Sequence, residues 1–296
     1  MNALFKSGFC AIVGRPNVGK STLLNRLLGE KLAIVSGKPQ TTRNQIQGVL
    51  TGENYQIIFI DTPGLHEPVS ELGSRMVKAA EAALAEVDVV LFMAEAYARH
   101  AEADRVLIAK LSKVRAPVLL AFNKTDKHPK SGLLEVIERY KNFHDFAEIV
   151  PISALNGDNV DNLLRLIINH LQEGPKYFPD DHLTDLTERF LIAEIIREKA
   201  LMFLQDEIPH GVAVEITKVK RKNDVLDVDA TIYCEKDSHK GIIIGKQGAM
   251  LKRIGQTSRA EIETLLGGQI FLQTWVKVKK NWRDDNFLLR QLGYGG

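Results

Sequence analysis

No apolar run in this chain approaches the ~20 residues that a bilayer-spanning helix requires. The opening residues, MNALFKSGFCAIVG, lack the basic start, long apolar core and small-residue cleavage site of a secretory leader. Cysteine is scarce. The two that occur, Cys10 and Cys234, lie too far apart for a metal-binding spacing and fall in strand-like runs, so they read as buried structural residues of a reducing compartment. These absences lead us to expect a cytoplasmic protein. Internal repeats and low-complexity tracts are missing too. A net charge of +2 over 296 residues neither demands nor excludes a nucleic-acid partner. Its distribution says more: from Lys240 onward there are ten Lys/Arg against four Asp/Glu, an excess of +6 that leaves about −4 for the rest. A basic back end suits a polyanionic partner.

What is present divides into two grammars. In the first, the apolar runs FCAIVG, YQIIFI, VDVVLFM, APVLLAF and EIVPIS are continuous rather than alternating, as strands buried on both faces are. Helical stretches such as Lys20 to Leu28 and Leu133 to Tyr140 separate them, which predicts an α/β domain with a mostly parallel sheet and helices on both faces. We place this domain at 1–173. A Pro- and acid-rich connector at 174–186, GPKYFPDDHLTD within it, marks the boundary. From 187 to 296 the order is helix, two strands, helices and a last strand, a smaller α+β domain with a basic C-terminal tail. In VLDVDATIYC, Leu226, Val228, Ala230, Ile232 and Cys234 share one face. The helix TERFLIAEIIREKALMFL gathers its apolar positions on one side and mixed charges on the other, the pattern of a core-facing helix rather than a membrane-surface one.

GRPNVGKST follows an apolar strand and opens a helix, the context in which a phosphate loop works. Gly14, Arg15, Pro16, Asn17, Val18, Gly19, Lys20, Ser21 and Thr22 therefore form the first candidate site. Backbone N–H groups surround the phosphates, Lys20 reaches the terminal ones, and the Ser21 hydroxyl holds Mg²⁺. In IIFIDTPGL, Asp61 ends a strand and can order Mg²⁺ through a water, while Thr62, Pro63 and Gly64 reach toward the γ-phosphate, Gly64 through its N–H. Between these elements PQTTR reads as a switch in which Thr41 or Thr42 adds a hydroxyl to the metal. The base follows from AFNKTD. Asn123, Lys124 and Asp126 sit at a strand end, where the Asp126 carboxylate accepts from guanine N1–H and its 2-amino group; adenine has neither donor there. Ser153, Ala154 and Leu155 in ISALNG complete the set, with the Ala154 N–H facing the guanine 6-oxo group. The cofactors expected are GTP/GDP and Mg²⁺.

These ordered motifs resemble the translation-factor class of G domains, the family that includes Ras-like proteins. One position departs from it. Where those relatives carry a water-orienting glutamine after the DTPG stretch, this chain has Leu65, and an apolar side chain can neither orient water nor act as a base. No catalytic side-chain base is assigned; the neighbouring His66 reads as a solvated switch histidine. Hydrolysis then depends on loop, metal and backbone positioning, and the expected intrinsic turnover is slow. The resemblance to relatives with an apolar residue here implies a K⁺ held by Asn17.

A second glycine loop, GIIIGKQGAMLKRIG, lacks the Lys-Ser ending of a phosphate loop and the spacing of a dinucleotide site. Ile244, Gly245, Lys246, Gln247 and Gly248, followed by Lys252 and Arg253, resemble instead the KH domain, whose Gly-x-x-Gly loop clamps about four nucleotides of single-stranded backbone. A helix ahead of the strands matches the type II arrangement. Lys277, Lys279, Lys280 and Arg283 add positive charge, and Trp275 is positioned either to stack on a base or to pack at the rim.

A G domain joined to such a KH domain through RFLIAEIIREKALMFLQDEIPHGVAVEI closely resembles the Era family of bacterial GTPases, over essentially the whole chain. The resemblance implies a GTP-hydrolysing switch that binds 16S-type rRNA near its 3′ end and assists assembly of the 30S ribosomal subunit. It also implies peripheral association with the cytoplasmic face of the inner membrane. We expect a monomer with no DNA partner. The alternative is a GTP-regulated signalling or membrane-associated protein whose KH-like domain binds another protein.

Overall fold

A computed structural model describes residues 4–38, 41–64, 70–97, 100–127, 132–206 and 208–294. The chain forms two compact units, one of Met1–Ala33, Thr42–Glu67 and Met76–Asp185, the other of Ile34–Thr41, Pro68–Arg75 and Leu186–Gly296.

The first unit is an α/β layer structure. Its strands are β1 (Lys6–Gly14), β2 (Ile46–Gly52), β3 (Tyr55–Asp61), β4 (Val89–Glu95), β5 (Val118–Asn123) and β6 (Glu148–Pro151). They lie in the order β2-β3-β1-β4-β5-β6, all parallel except β2, which pairs antiparallel with β3. The helices are α1 (Lys20–Leu28), α2 (Glu71–Ala83), which enters this unit at Met76, α3 (Ala101–Leu111), α4 (Leu133–Lys141) and α5 (Val160–His170). The continuous apolar runs become the central strands because both faces are covered: six of the seven residues of VVLFMAE in β4 are buried. Phe92 and Phe122 are wholly buried among Leu107, Ile108, Leu111 and Tyr140. Truncating Phe92 to Ala would cost about 3–5 kcal/mol in lost burial and cavity formation. The antiparallel β2 was not anticipated. Its sequence, IQGVLTG, breaks the apolar run with Gln47, Gly48 and Thr51, and only Ile46, Gly48 and Val49 are buried, as an edge strand permits.

Parallel register carries the ends of β1, β3, β4 and β5 to one edge: Ile12 lies beside Asp61, Gly14 beside Met93, and Glu95 beside Asn123. Loops leaving that edge carry the motifs, as expected for an open α/β sheet. The connector segment runs over this unit rather than hanging free. Gly174 N–H donates to Phe5 O at 3.1 Å, the Gln56 amide oxygen accepts from Tyr177 and Phe178 N–H, and Val49 N–H donates to Leu183 O at 2.8 Å.

The second unit is the smaller α+β fold. Helix α6 (Glu188–Phe203) begins where the Thr187 hydroxyl caps the Phe190 N–H at 3.2 Å. Strands β7 (Ala213–Lys222) and β8 (Val225–Cys234) form a hairpin whose turn residues Asn223 and Asp224 both have positive φ, as a type I′ turn requires. Then come α7 (Asp237–Ile244), α8 (Ala249–Leu266) and β9 (Ile270–Val278), which pairs parallel to β8. The face predicted for β8, Leu226 through Cys234, is buried against Ile192, Ile195, Ile196, Ile254 and Ile262. The C-terminal residues fold back and end in α9 (Asn286–Gln291). Trp282 is wholly buried and donates to Gly211 O at 2.9 Å, while Arg283 grips Glu235 through two hydrogen bonds of 2.7 and 3.0 Å. Both faces of α6 are covered. Its charged residues Glu194, Arg197 and Glu198 are buried too: Arg197 donates to Thr41 O, and Glu198 Oε1 accepts from Val35 N–H at 2.8 Å.

Candidate functional site

Between β1 and α1 the phosphate loop is shaped by glycine. Gly19 caps α1 with φ +105°, and a Cβ there would stand 2.2 Å from Asn123 Nδ2, so no other residue fits. Lys20 is buried and curls over the loop, its ammonium donating to Gly14 O and Arg15 O at 3.1 Å each. Burial pulls its pKa down to about 8, against the opposing pull of the Asp61 carboxylate, and the Arg15 charge lowers it further. Asn17 is exposed with φ +64°.

Ser21, Thr42 and Asp61 converge from three chain segments. The Ser21 hydroxyl donates to Asp61 Oδ2 at 2.7 Å and lies 2.9 Å from Thr42 Oγ1. Since Ser21 has one proton and Asp61 takes it, Thr42 is the donor of that second bond. The Thr41 hydroxyl is engaged elsewhere, donating to Lys38 O at 2.6 Å. Asp61 is wholly buried, and burial raises its pKa to about 6 although Lys20 and Ser21 pull it down. Its Oδ1 has no hydrogen-bond partner among the described residues. A buried, orphaned carboxylate oxygen beside two hydroxyls is the donor set of a hard divalent cation, so the residues present fit Mg²⁺. Thr62, also buried, gives its hydroxyl to Ile12 O at 2.9 Å and so anchors the segment to β1. A Cβ on Gly64 would sit 2.7 Å from Pro16 N; glycine is what lets the DTPG stretch lie against the phosphate loop. Leu65 and His66 lie outside the described residues.

The base-reading motif is braced to the phosphate loop by Asn123. Its Nδ2 donates to Val18 O at 2.7 Å and its Oδ1 accepts from Ala154 N–H at 2.9 Å. The N–H expected to face the guanine 6-oxo group is therefore committed to Asn123 here. Asp126 receives the Ser153 hydroxyl on Oδ1 at 2.6 Å, which orients the carboxylate. Lys124 has φ +64° and an ammonium 3.6 Å from Glu95 Oε1. Leu155 is exposed, while Arg26 of α1 donates to the carbonyls of Ala154 and Leu155. Sequence reasoning missed Arg26 and Glu95, because neither belongs to a local motif and each acts across more than twenty residues of chain.

In the second unit, Ile242, Ile243 and Ile244 are the last turn of α7, not a strand. Gly245 N–H closes that helix onto Gly241 O at 2.9 Å, and Lys246, Gln247 and Gly248 form a single tight turn before α8. Gly245 and Gly248 have φ of +75° and +78°. Lys246, Gln247, Lys252 and Arg253 are exposed; the Arg253 guanidinium lies 4.1 Å over the Phe203 ring, a cation–π contact that holds it beside the turn. Trp275 is 43% exposed, on the rim rather than in the core.

The model of the 50S ribosome-binding GTPase family matches residues 9–124, and that of the KH domain matches residues 207–283. The chain is 54% identical to GTPase Era of Clostridium acetobutylicum, over 98% of each chain, and 56% identical to GTPase Era of Clostridioides difficile, over 98% of this chain and 99% of that one. Two solved structures are similar over 99% of this chain and 100% of theirs, each at 43% identity. One is a variant of Aquifex aeolicus Era bound to GDP and AlF4⁻, with a TM-score of 0.93; the other is Era in complex with MgGDPNP and nucleotides 1506–1542 of 16S ribosomal RNA, with a TM-score of 0.94.

Proposed function

The chain belongs to the Era family of GTPases, and on that premise we propose that its GTP hydrolysis switches the binding of single-stranded RNA near the 3′ end of small-subunit rRNA during 30S assembly. One observation carries the reading. A single chain carries the phosphate loop, the Ser21–Thr42–Asp61 cluster and the Asp126–Ser153 pair and, in a separate fold, a Gly-x-x-Gly turn with Lys246 and Gln247 exposed ahead of α8.

In this proposal residues 1–173 are the G domain, 174–186 the connector and 187–296 the KH domain. Gly14 to Thr22 bind the phosphates through backbone N–H groups and Lys20, whose ammonium leaves the two loop carbonyls for the terminal phosphates. Ser21 and Thr42 offer hydroxyls to Mg²⁺, and Asp61 orders it through a water; Thr41, tied to Lys38, is the reserve. Bound Mg²⁺ supplies charge neutralisation at the phosphate oxygens. Gly64 offers its N–H to the γ-phosphate. The Asp126 carboxylate, oriented by Ser153, reads guanine, and Asn123 keeps base and phosphate loops at a fixed separation. No side chain is assigned as a base; Asn17 would hold a K⁺, which would add positive charge beside the phosphates.

The backbone between Ile244 and Gly248 takes the RNA phosphodiester, with Lys246, Lys252 and Arg253 as counter-charges. We take the protein as a cytoplasmic monomer with peripheral contact at the inner membrane; no described helix is long and apolar enough to cross one. The test is binding of an oligonucleotide from the 3′ end of 16S rRNA to the full chain with GDPNP or GDP, beside Lys246→Glu. Tighter binding with GDPNP and weaker binding by the variant are expected. Equal affinity in both nucleotide states, or in-cell crosslinks that recover no small-subunit rRNA, would overturn it.

A further inference from the structure

Two buried polar residues of the first unit, Asp104 and Tyr140, have no part in the reading above, and both are tied to the phosphate loop. Asp104 lies on α3 with no exposed surface. A carboxylate removed from water is costly unless its lone pairs are met, and here both oxygens are used. Oδ1 accepts from Arg15 Nε at 2.7 Å, and Oδ2 accepts from the Tyr140 hydroxyl at 2.6 Å. Arg15 is the second residue of the phosphate loop. Its Nη2 is buried with no partner among the described residues, so the side chain's orientation rests on Asp104.

The far end of this relay reaches the base-reading strand. Tyr140, on α4, is wholly buried and meets Phe122 edge-to-face at 4.9 Å and 80°. Phe122 immediately precedes Asn123, whose amide holds Val18 O at 2.7 Å. The phosphate loop is thus gripped twice, at Arg15 through α3 and α4 and at Val18 through β5. Arg15 O is one of the two carbonyls that hold the Lys20 ammonium, so the setting of Arg15 is also the setting of Lys20. Apolar residues of similar volume would join α3 to the loop with as much stability, since a buried ion pair rarely outdoes them. What an apolar contact lacks is direction. The bond from Arg15 to Asp104 supplies it, and the Tyr140 hydroxyl holds Asp104 in place to receive it.

We propose that Asp104 is a positioning residue for GTP binding: through Arg15 it sets the phosphate-loop backbone, and through Tyr140 it couples that setting to the strand that ends in Asn123, the brace between the phosphate loop and the base-reading loop. The proposal rests on the phosphate-loop assignment above. If wild-type protein fails to bind GTP, that assignment fails; if wild type binds and the variants below bind equally well, only the present proposal fails.

The experiment uses the full chain and steady-state GTP hydrolysis, with Kd for GDP and IDP measured well below each variant's melting temperature. IDP lacks the 2-amino group that Asp126 reads. Asp104→Asn removes the charge and keeps the shape; it should raise KM and the GDP Kd about tenfold, the worth of one charge-assisted hydrogen bond, while kcat changes far less. Tyr140→Phe cuts only the link to α4 and should narrow the ratio of IDP to GDP affinity, because base and phosphate grips are then set separately. Should Asp104→Asn fail to fold, Tyr140→Phe carries the test alone. A lower melting temperature with unchanged KM, GDP Kd and IDP/GDP ratio would mean that the relay is glue only, and would overturn the proposal.

Discussion

The Ser21 hydroxyl donates a hydrogen bond to Asp61 Oδ2 across 2.7 Å, joining the first turn of α1 to the last residue of β3. The bond satisfies one oxygen of a wholly buried carboxylate and leaves the other without a partner among the described residues. Burial lifts that carboxyl from 3.8 to about 6. The folded apo protein therefore holds a proton that the unfolded chain has released, and its stability falls as pH rises through that window. A cation reverses the balance by competing for the same group. The Mg²⁺ concentration needed to retain GDP should accordingly climb as pH drops below about 6, whereas from pH 7 to 8 Asp61 adds no such dependence. GDP dissociation measured across Mg²⁺ titrations at pH 5.5, 6.5 and 7.5 checks this; a requirement independent of pH would remove Asp61 from the metal site.

Asp126 should decide the base. With Oδ1 fixed by Ser153 at 2.6 Å, the carboxylate presents acceptors to guanine N1–H and the 2-amino group. Asp126→Asn turns one acceptor into a donor. GTP affinity should fall about 10²-fold or more, while xanthine nucleotides, which carry a 2-oxo acceptor, should gain. Competition between GTP and XTP reads the outcome. A variant that still prefers GTP would show that the base is read elsewhere.

Legibility followed locality. Gly14 to Ser21 and Gly245 to Gly248 were readable because their chemistry is written in consecutive residues, and the continuous apolar runs announced the parallel strands. The α/β unit, the smaller α+β unit and the family all follow from that. What escaped depends on distant chain. Gly48 and Gln47 hid β2, whose place is set by β3 beside it. Thr41 and Thr42 are equivalent in sequence; only the bonds to Lys38 and Ser21 separate them. The charges of α6 gave no sign of their burial, because nothing in the helix's own periodicity reveals that Val35 N–H meets Glu198 or that Thr41 O meets Arg197. Asp104 carries no motif at all.

Asn17 should confer a choice among monovalent cations. With Leu65 where related G domains carry a water-orienting glutamine, the proposed mechanism draws charge stabilisation at the phosphates from bound cations and backbone. Asn17 stands exposed on the loop with φ +64°, a backbone setting that asparagine tolerates better than most residues. GTP hydrolysis should run several-fold faster in KCl than in NaCl at equal ionic strength, and Asn17→Asp or Asn17→Ala should erase the difference. Equal rates in the two salts would exclude a K⁺ role.

Arg197 should be a linchpin of the second unit. It has no exposed surface, and its Nε and Nη2 meet Glu194 at 2.7 and 2.5 Å while Nη2 also reaches Thr41 O. Arg197→Met keeps the volume and removes the charge, leaving Glu194 buried without its cation. Breaking such a pair from one side costs about 3–5 kcal/mol. The double variant with Glu194→Leu should recover most of the loss. Both tryptophans, Trp275 and Trp282, lie in this unit, so intrinsic fluorescence during urea unfolding reports on it alone. Ile34 to Lys38 provide the second readout. If Arg197 clamps them through Thr41 O, amide exchange from Ile34 to Lys38 should quicken in Arg197→Met and stay quick in the double variant, although its stability returns. Exchange that recovered along with stability would assign the segment's order to Glu198 and the apolar packing around it.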